Sequence, residues 1–371
     1  METVGLYIHV PFCLSKCPYC DFYSLSGPDE EALDAYAAAV RGSLRAWAAR
    51  IARPADTLYF GGGTPSLLGG RRLAALIQTA REAFGLAGAE ITLEANPADD
   101  LAETLRAFAA AGGNRLSLGM QSAFPQELRL LGRRHRPADV ERTAADARRA
   151  GIGNLSLDLM LGLPGQTAAG VEEEAAVCAE LGAAHVSAYL LKIEAGTPFA
   201  ARRDSLCLPD EDAGADLYLA AAEALERQGC RQYEISNFSR PGRESRHNLK
   251  YWDLQPYLGI GPAAHSFLDG KRFAYPRDLA GFLAGNPPVP EEEGPFPPGS
   301  REEYLMLRLR LAEGVTEAGF SARFGGRLPA AWRERAAGLP ARLAEMDAEG
   351  IRLTREGFLV SNAILGRLLD G

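Results

Sequence analysis

Three cysteines stand within eight residues, Cys13-x3-Cys17-x2-Cys20, directly after an apolar run that reads as a first strand. Thiolates are soft ligands, suited to zinc or to an iron–sulfur cluster. A structural zinc site takes four protein ligands, yet no fourth Cys or His follows at a suitable interval, and His9 belongs to the strand. A [4Fe–4S] cube held by three cysteines instead leaves one iron open to an outside ligand. The spacing therefore favours a cluster on Cys13, Cys17 and Cys20 over zinc or an accidental trio. Three disulfides from the six cysteines would suit a small secreted domain better than a chain of 371 residues. Its N-terminus also lacks the basic and long apolar segments of a secretory signal. Cys178, Cys207 and Cys230 are scattered, and each is expected to be a small buried hydrophobe.

An open iron can bind the amino and carboxylate groups of S-adenosylmethionine (SAM), and an electron from the cluster then breaks the sulfonium bond to give a 5′-deoxyadenosyl radical. Other segments suit a sulfonium nucleotide. Gly62, Gly63 and Thr64 lack bulk where a ligand must approach backbone, so their amides could receive the amino-acid portion. Glu94, in Leu93-Glu94-Ala95-Asn96-Pro97, is a carboxylate suited to ribose hydroxyls, and Gln121, Arg133 and Asp158 follow at or just beyond later strand ends. Taken singly, each has a plainer reading as a βα turn or a solvated polar residue. Together they fall where barrel chemistry collects, at the C-terminal ends of parallel strands.

The first 240 residues alternate β-type runs with amphipathic helical stretches, the pattern of βα units around a parallel sheet. Strands are expected over Leu6–Val10, Thr57–Phe60, Ile91–Glu94, Arg115–Gly119, Leu155–Leu161 and His185–Leu190. Leu33, Tyr36, Val40, Leu44 and Trp47 give the first helix one apolar stripe at a period near 3.6. Six βα units are too few for a barrel of eight, so the expected fold class is α/β, an incomplete (β/α)6 barrel over residues 1–240. Residues 241–299 read as an aromatic, loop-rich extension ending in a Pro- and Glu-rich linker, and 300–371 as a separate α+β unit. In that last unit helices are expected over Glu302–Leu311 and Pro340–Ala348. Two strands about a Glu-Gly turn are expected over Ile351–Val360, an arrangement like a winged helix.

A net charge of −8 argues against an electrostatic grip on nucleic acid or on an anionic membrane. The C-terminal unit carries eleven Arg against ten Asp and Glu, poor footing for a DNA-binding regulator. No apolar run approaches the length of a membrane helix, so a cytoplasmic protein is expected.

The cysteine spacing is the hallmark of radical SAM proteins, and a wider resemblance covers almost the whole chain. Tyr7-Ile-His-Val-Pro-Phe-Cys13, Gly61-Gly-Gly-Thr-Pro-Ser66, Glu94-Ala-Asn-Pro97 and Arg115-Leu-Ser-Leu-Gly-Met-Gln-Ser122 resemble the HemN/HemW family, the oxygen-independent coproporphyrinogen III oxidases and their relatives. So do Asp158-Leu-Met-Leu-Gly-Leu-Pro-Gly-Gln-Thr167 and Gly259-Ile-Gly-Pro-Ala-Ala-His265. The resemblance implies a radical SAM partial barrel with a C-terminal domain, and SAM contacts at Tyr7, Tyr19, Gly62, Gly63, Thr64, Glu94, Gln121, Arg133 and Asp158. The true oxidases carry a further Cys where this chain has Phe22, and a long N-terminal arm where only six residues precede Tyr7. Both departures resemble the heme chaperone branch of the family, as does His247-Asn248-Leu249-Lys250-Tyr251-Trp252, which matches that branch's HNxxYW motif.

That branch implies a protein that binds a [4Fe–4S] cluster, SAM and heme and passes heme to acceptor hemoproteins. Respiratory enzymes would be among these, with a cytoplasmic chain peripheral at the inner membrane. The alternative is an oxidase decarboxylating two propionates through the deoxyadenosyl radical. Imidazole is a common axial ligand of heme iron, which makes His247 a candidate ligand with neighbouring aromatics stacking on the porphyrin. The plainer reading has Tyr251 and Trp252 packing the open side of the barrel while His247 hydrogen-bonds backbone. His265 is a second candidate, and His135 and His185 are expected to be structural.

Overall fold

The structure is a computed structural model that describes residues 2–97, 99–291 and 294–369. Six parallel strands run in sequence order: β1 (Val4–Val10), β2 (Ala55–Gly62), β3 (Glu90–Ala95), β4 (Arg115–Gln121), β5 (Asn154–Leu161) and β6 (His185–Leu190). Helices α1 (Glu30–Ala48), α2 (Gly69–Phe84), α3 (Ala102–Ala110), α4 (Pro137–Arg149) and α5 (Ala168–Glu180) connect them, and α6 (Glu211–Arg227) follows β6. The α1 N-terminus is closed by Asp29, whose carboxylate accepts from Ala32 N, while Glu30 and Glu31 complement the helix dipole. Its stripe of Leu33, Tyr36, Val40 and Leu44 is buried in one core with Leu6, Ile8 and Val10 of β1. Full burial of each such side chain stabilises by about 1.5–3 kcal/mol.

The strands alternate, and the alternation separates core from cavity. Leu6, Ile8, Leu58, Phe60, Ile91, Leu93, Leu116, Leu118, Leu155 and Leu157 are buried in the apolar core. The residues between them, Tyr7, His9, Thr57, Tyr59, Thr92, Glu94, Arg115, Ser117, Ser156 and Asp158, share the other face at a period of two. Register aligns these polar groups across strands, with Tyr7 beside Tyr59, Glu94 beside Ser117 and Asp158 beside Ser187.

The sheet continues beyond the expected six strands. The stretch read as loop-rich contains β9 (Tyr257–Ile260), which pairs parallel to β1, followed by antiparallel β10 (His265–Leu268), β11 (Lys271–Ala274) and β12 (Val289–Pro290). At the opposite edge β8 (Asn237–Ser239) pairs antiparallel to β6, and β7 (Arg231–Glu234) pairs with β8. The order is β12-β11-β10-β9-β1-β2-β3-β4-β5-β6-β8-β7, an open sheet of twelve strands. Between β8 and β9 lies α7 (Arg246–Trp252), set under the N-terminal ends of the parallel strands. A Cβ on Gly5 would stand 2.8 Å from Lys250 Cδ, so a glycine in β1 is what admits this helix. Glu292 and Glu293 of the Pro- and Glu-rich stretch lie outside the described residues.

The C-terminal unit follows as α8 (Arg301–Arg308), β13 (Val315–Thr316), α9 (Glu317–Phe324), α10 (Ala330–Ala337), β14 (Ala344–Met346), β15 (Gly350–Leu353), α11 (Arg355–Leu359) and α12 (Ser361–Leu369). Its small sheet has the order β13-β15-β14. Two expectations fail here. Pro340–Ala348 is not a helix, because Ala344–Met346 pairs with β15 and tertiary pairing overrides helix propensity. Glu356-Gly357 is not a hairpin turn but lies inside α11, whose N-cap Thr354 accepts from Gly357 N; the hairpin turns at 347–349. No described helix is long and apolar enough to cross a membrane.

Candidate functional site

The cysteine loop is latched to the sheet by the turn after β2. Gly63 N donates to Val10 O (2.8 Å) and Thr64 N to Phe12 O (2.7 Å), while Gly62 N donates to Glu94 Oε2 (3.1 Å). These amides are therefore engaged by the protein, and the expectation that they lie free for an amino-acid ligand is corrected. The glycine is still obligatory: a Cβ on Gly63 would meet Phe12 O at 2.5 Å. What the turn does is hold Cys13 and its neighbours at the C-terminal end of the sheet.

Cys13, Cys17 and Cys20 are all free thiols and half-buried. Thr64 Oγ1 lies 3.6 Å from Cys13 Sγ, and Arg133 Nη1 lies 3.5 Å from Cys17 Sγ. Arg133 also donates to Gly119 O (2.9 Å), and its Nε is buried with no hydrogen-bond partner among the described residues. Burial pushes the Cys20 thiol up from its ordinary value and the Tyr19 hydroxyl well above the phenol range. Among the described residues no three His, Cys, Asp or Glu side chains converge on one point. An all-sulfur set spread along one loop, with a guanidinium and a hydroxyl beside it, suits an anionic iron–sulfur cluster whose corners take separate thiolates.

The expected strand-end residues form one wall. Tyr59 OH donates to Glu94 Oε1 (2.8 Å), and burial pushes the Glu94 carboxyl up to about 7. Ser117 Oγ donates to Asp158 Oδ1 (3.2 Å), and burial raises that carboxyl to about 6. Gln121 adopts a left-handed φ of 66°, which turns the chain at the end of β4. Tyr7 OH is 3.1 Å from His9 Nδ1, and His9 Nε2 donates to Tyr23 O (3.0 Å). With both ring nitrogens engaged, His9 is no fourth thiolate partner.

A cavity of about 480 Å³ opens inside the half-barrel, lined by Tyr7, His9, Tyr59 and Glu94 from the first strands and by Tyr189 of β6. Phe22 and Tyr23 of the cysteine loop line it as well, together with Asn248, Tyr251, Tyr257 and His265, and with Arg277, which is bonded to Asp21 of the same loop. Sequence reasoning did not assign Tyr59, Tyr189, Tyr257, Tyr23 and Arg277 to the site. The first two had a signal, standing two residues from Gly61 and Ser187 on the same face of their strands.

His247 does not present a ligand nitrogen. It is 1% exposed, with Nδ1 2.7 Å from Thr57 Oγ1 and Nε2 2.7 Å from Tyr251 OH, and its ring stacks on Tyr59 at 5.2 Å. Burial lowers its pKa to about 3, so it is neutral. Trp252 stands against Arg310, 5.7 Å from ring to guanidinium, and does not line the cavity. Of the remaining expectations, His185 bonds Ser156 and Tyr233, and His135 bonds Met120 O. Cys178 and Cys230 are buried, but Cys207 is exposed in a turn with φ 41°, against expectation.

Residues 7–178, which hold the thiol loop and the first five strands, match the Radical SAM superfamily. The match places the thiol loop and the sheet that holds it in the radical SAM class of proteins. Over its length the chain is similar to proteins named heme chaperone HemW. It is 39% identical to that of Mycobacterium tuberculosis H37Rv, over 99% of this chain and 95% of the relative. Against the Escherichia coli K12 protein it is 37% identical, over 88% and 87%, and against that of Bacillus subtilis 168 it is 33% identical, over 98% of each. The chain belongs to the HemW family of radical SAM proteins. Among solved structures, the coproporphyrinogen III oxidase HemN of Escherichia coli, a radical SAM enzyme, superposes with a TM-score of 0.82, over 99% of this chain and 90% of that one. At 23% identity that likeness is one of fold. Membership brings a [4Fe–4S] cluster and SAM as cofactors, and the thiol set and the polar strand-end wall fit them.

Proposed function

We propose that this chain is a radical SAM heme chaperone, which binds a [4Fe–4S] cluster, SAM and heme and passes heme to acceptor hemoproteins. The carrying observation is the single cavity lined both by the cysteine loop and by the conjunction of Tyr251, Tyr257 and His265. The names of the full-length relatives support the same reading. Cys13, Cys17 and Cys20 hold the cluster, with Arg133 and Thr64 offsetting charge on the sulfurs. Tyr7, Tyr19, Glu94, Gln121, Arg133 and Asp158 surround SAM, and Gly62, Gly63 and Thr64 border it by their lack of bulk and their carbonyls, their amides being engaged by the protein. Together the two cofactors, when bound, supply one-electron reductive chemistry at the sulfonium. With its carboxyl near pKa 7, Glu94 both donates to and accepts from a hydroxyl at neutral pH. Tyr59 and Gly62 N fix that carboxyl in place. The chain works in the cytoplasm, and at the inner membrane surface when the acceptor is a respiratory enzyme.

The test is to reconstitute the chain anaerobically with iron and sulfide and challenge it separately with heme and with coproporphyrinogen III, SAM and a reductant. Heme uptake, followed by transfer to an apo-hemoprotein, is the expected result, with no protoporphyrinogen formed. Stoichiometric conversion of coproporphyrinogen would place the chain among the oxidases instead.

A further inference from the structure

Resting on the heme-binding reading above, the question is which nitrogen of this chain meets the iron. The chain has five histidines. His9, His185 and His247 have both ring nitrogens hydrogen-bonded and are buried, and His135 is buried against Met120 O, outside the cavity lining. His265 differs in every respect. Its side chain is 64% exposed where it lines the cavity, and among the described residues only Nδ1 is engaged, by the Glu291 carboxylate.

That pairing has a chemical meaning. A histidine that ligates a metal through one ring nitrogen characteristically gives its other N–H to a carboxylate, which fixes the tautomer and strengthens the donor. With Nδ1–H donated to Glu291, the lone pair stands on Nε2. Both partners are held by backbone: His265 is the first residue of β10, paired with Ala274, and Glu291 N donates to Arg272 O (3.2 Å) just after β12. The preceding turn is fastened as well, with Ala263 N donating to Tyr275 O (3.1 Å). The rest of the lining suits a large flat apolar ligand with acidic edges. Phe22, 65% exposed, and Tyr189 offer aromatic surface, and the Arg277 guanidinium, whose Nη2 donates to Asp21 O (3.0 Å) and faces the Asp21 carboxylate at 3.5 Å, lines the cavity as a cation that a ligand carboxylate would share with Asp21. We infer that His265, oriented by Glu291, is the axial ligand of heme iron, with Phe22 and Tyr189 as aromatic contacts and Arg277 as the propionate partner.

Ferric heme titrated into the cluster-reconstituted full chain tests this by absorption and electron paramagnetic resonance. The wild-type complex should show an imidazole-ligated spectrum. His265→Ala should lose it, bind heme at least about tenfold more weakly and regain the spectrum on adding free imidazole, with cluster absorbance unchanged. Glu291→Gln should keep the imidazole signature and weaken binding by about tenfold, the lower end of the effect of removing such a carboxylate. His247→Gln should keep the wild-type spectrum. An unaltered spectrum and affinity in His265→Ala, or loss of the imidazole signature in His247→Gln alone, overturns the ligand assignment and leaves heme binding standing. Failure of the wild-type chain to bind heme at all removes the heme-chaperone reading, and this inference with it.

Discussion

The two ends of the half-barrel are built from similar residues and do opposite things. Each end has a histidine, a glutamate, tyrosines and a long cation. At the N-terminal end, under the strands, Glu90 accepts from Arg246 N and His247 N at the head of α7. There Lys250, 3% exposed, meets Asp56 at 2.9 Å, Thr3 and Gln255. His247 itself is filled at both nitrogens. At the C-terminal end, among the described residues, Arg133 Nε has no hydrogen-bond partner, His265 has one nitrogen engaged, and three thiols stand free and half-buried. Residue type therefore does not distinguish a plug from a site. What distinguishes His247 from His265 is whether the protein itself completes the ring's hydrogen bonds; the rule is not absolute at the closed end, where Trp252 Nε1 is buried without a partner among the described residues.

The largest effect expected from this contrast is at the open end. Replacing any of Cys13, Cys17 or Cys20 with Ser should abolish the cluster in iron and sulfide assays while circular dichroism stays that of the wild type. Tight uptake of one zinc without sulfide would instead make the open end a metal site of another kind.

At the closed end the expected loss is in stability. Asp56→Ala leaves the Lys250 ammonium buried without its carboxylate, and chemical denaturation should show a loss of about 2 kcal/mol, below the full cost of a buried pair because Asp56 is partly exposed. A change within 0.5 kcal/mol would mean that Thr3 and Gln255 suffice, and the plug would be less tightly specified than described.

Between the two lies Gly63→Ala. Its Cβ would push on Phe12 O, so a cost of about 1–3 kcal/mol should appear together with slower cluster reconstitution. Loss of stability with wild-type reconstitution would show that the latch does not position the thiols.

The most gradual effects are the pH slopes, which should have opposite signs at the two ends. His247 has a folded pKa of about 3, below the ordinary imidazole value of 6.5, so its contribution is present above pH 6.5 and is lost as pH falls toward 3. Glu94 has a folded pKa of about 7 against 4.5, so its contribution is present below pH 4.5 and is lost as pH rises through 7. One proton sets a ceiling of about 1.4 kcal/mol per pH unit on either slope. Denaturation midpoints between pH 4 and 8 should show His247→Gln flattening the acid side and Glu94→Gln the neutral side. Identical profiles for both variants would erase the distinction.

The open end was largely legible in sequence because its chemistry is local. Three thiols in one loop declare themselves by spacing, and six strand ends carry polar residues next to turns. The closed end was only half legible, since Tyr251, which bonds His247 Nε2, stands inside the motif, whereas Thr57 at Nδ1 and Tyr59 at the ring face lie some 190 residues away. Tyr257–Ile260 escaped for a similar reason: four residues containing a glycine become a strand only because β1 offers them an edge. Thr354 is a different case, an N-cap signal present in the sequence beside a Glu-Gly pair that reads as a turn.

The pairing of β9 with β1 also sets the order in which the chain can be completed during synthesis. One side of β1 finds β2 within about 50 residues, whereas its other side waits for Tyr257–Ile260, about 190 residues further on. At ribosomal speeds of about 5–20 residues per second, a buried-type apolar strand keeps a bare hydrogen-bonding edge for roughly 10 to 40 s. The nascent chain is thus most open to mispairing in that interval, and a ribosome that stalls before Tyr257 would release a fragment whose first strand still seeks a neighbour.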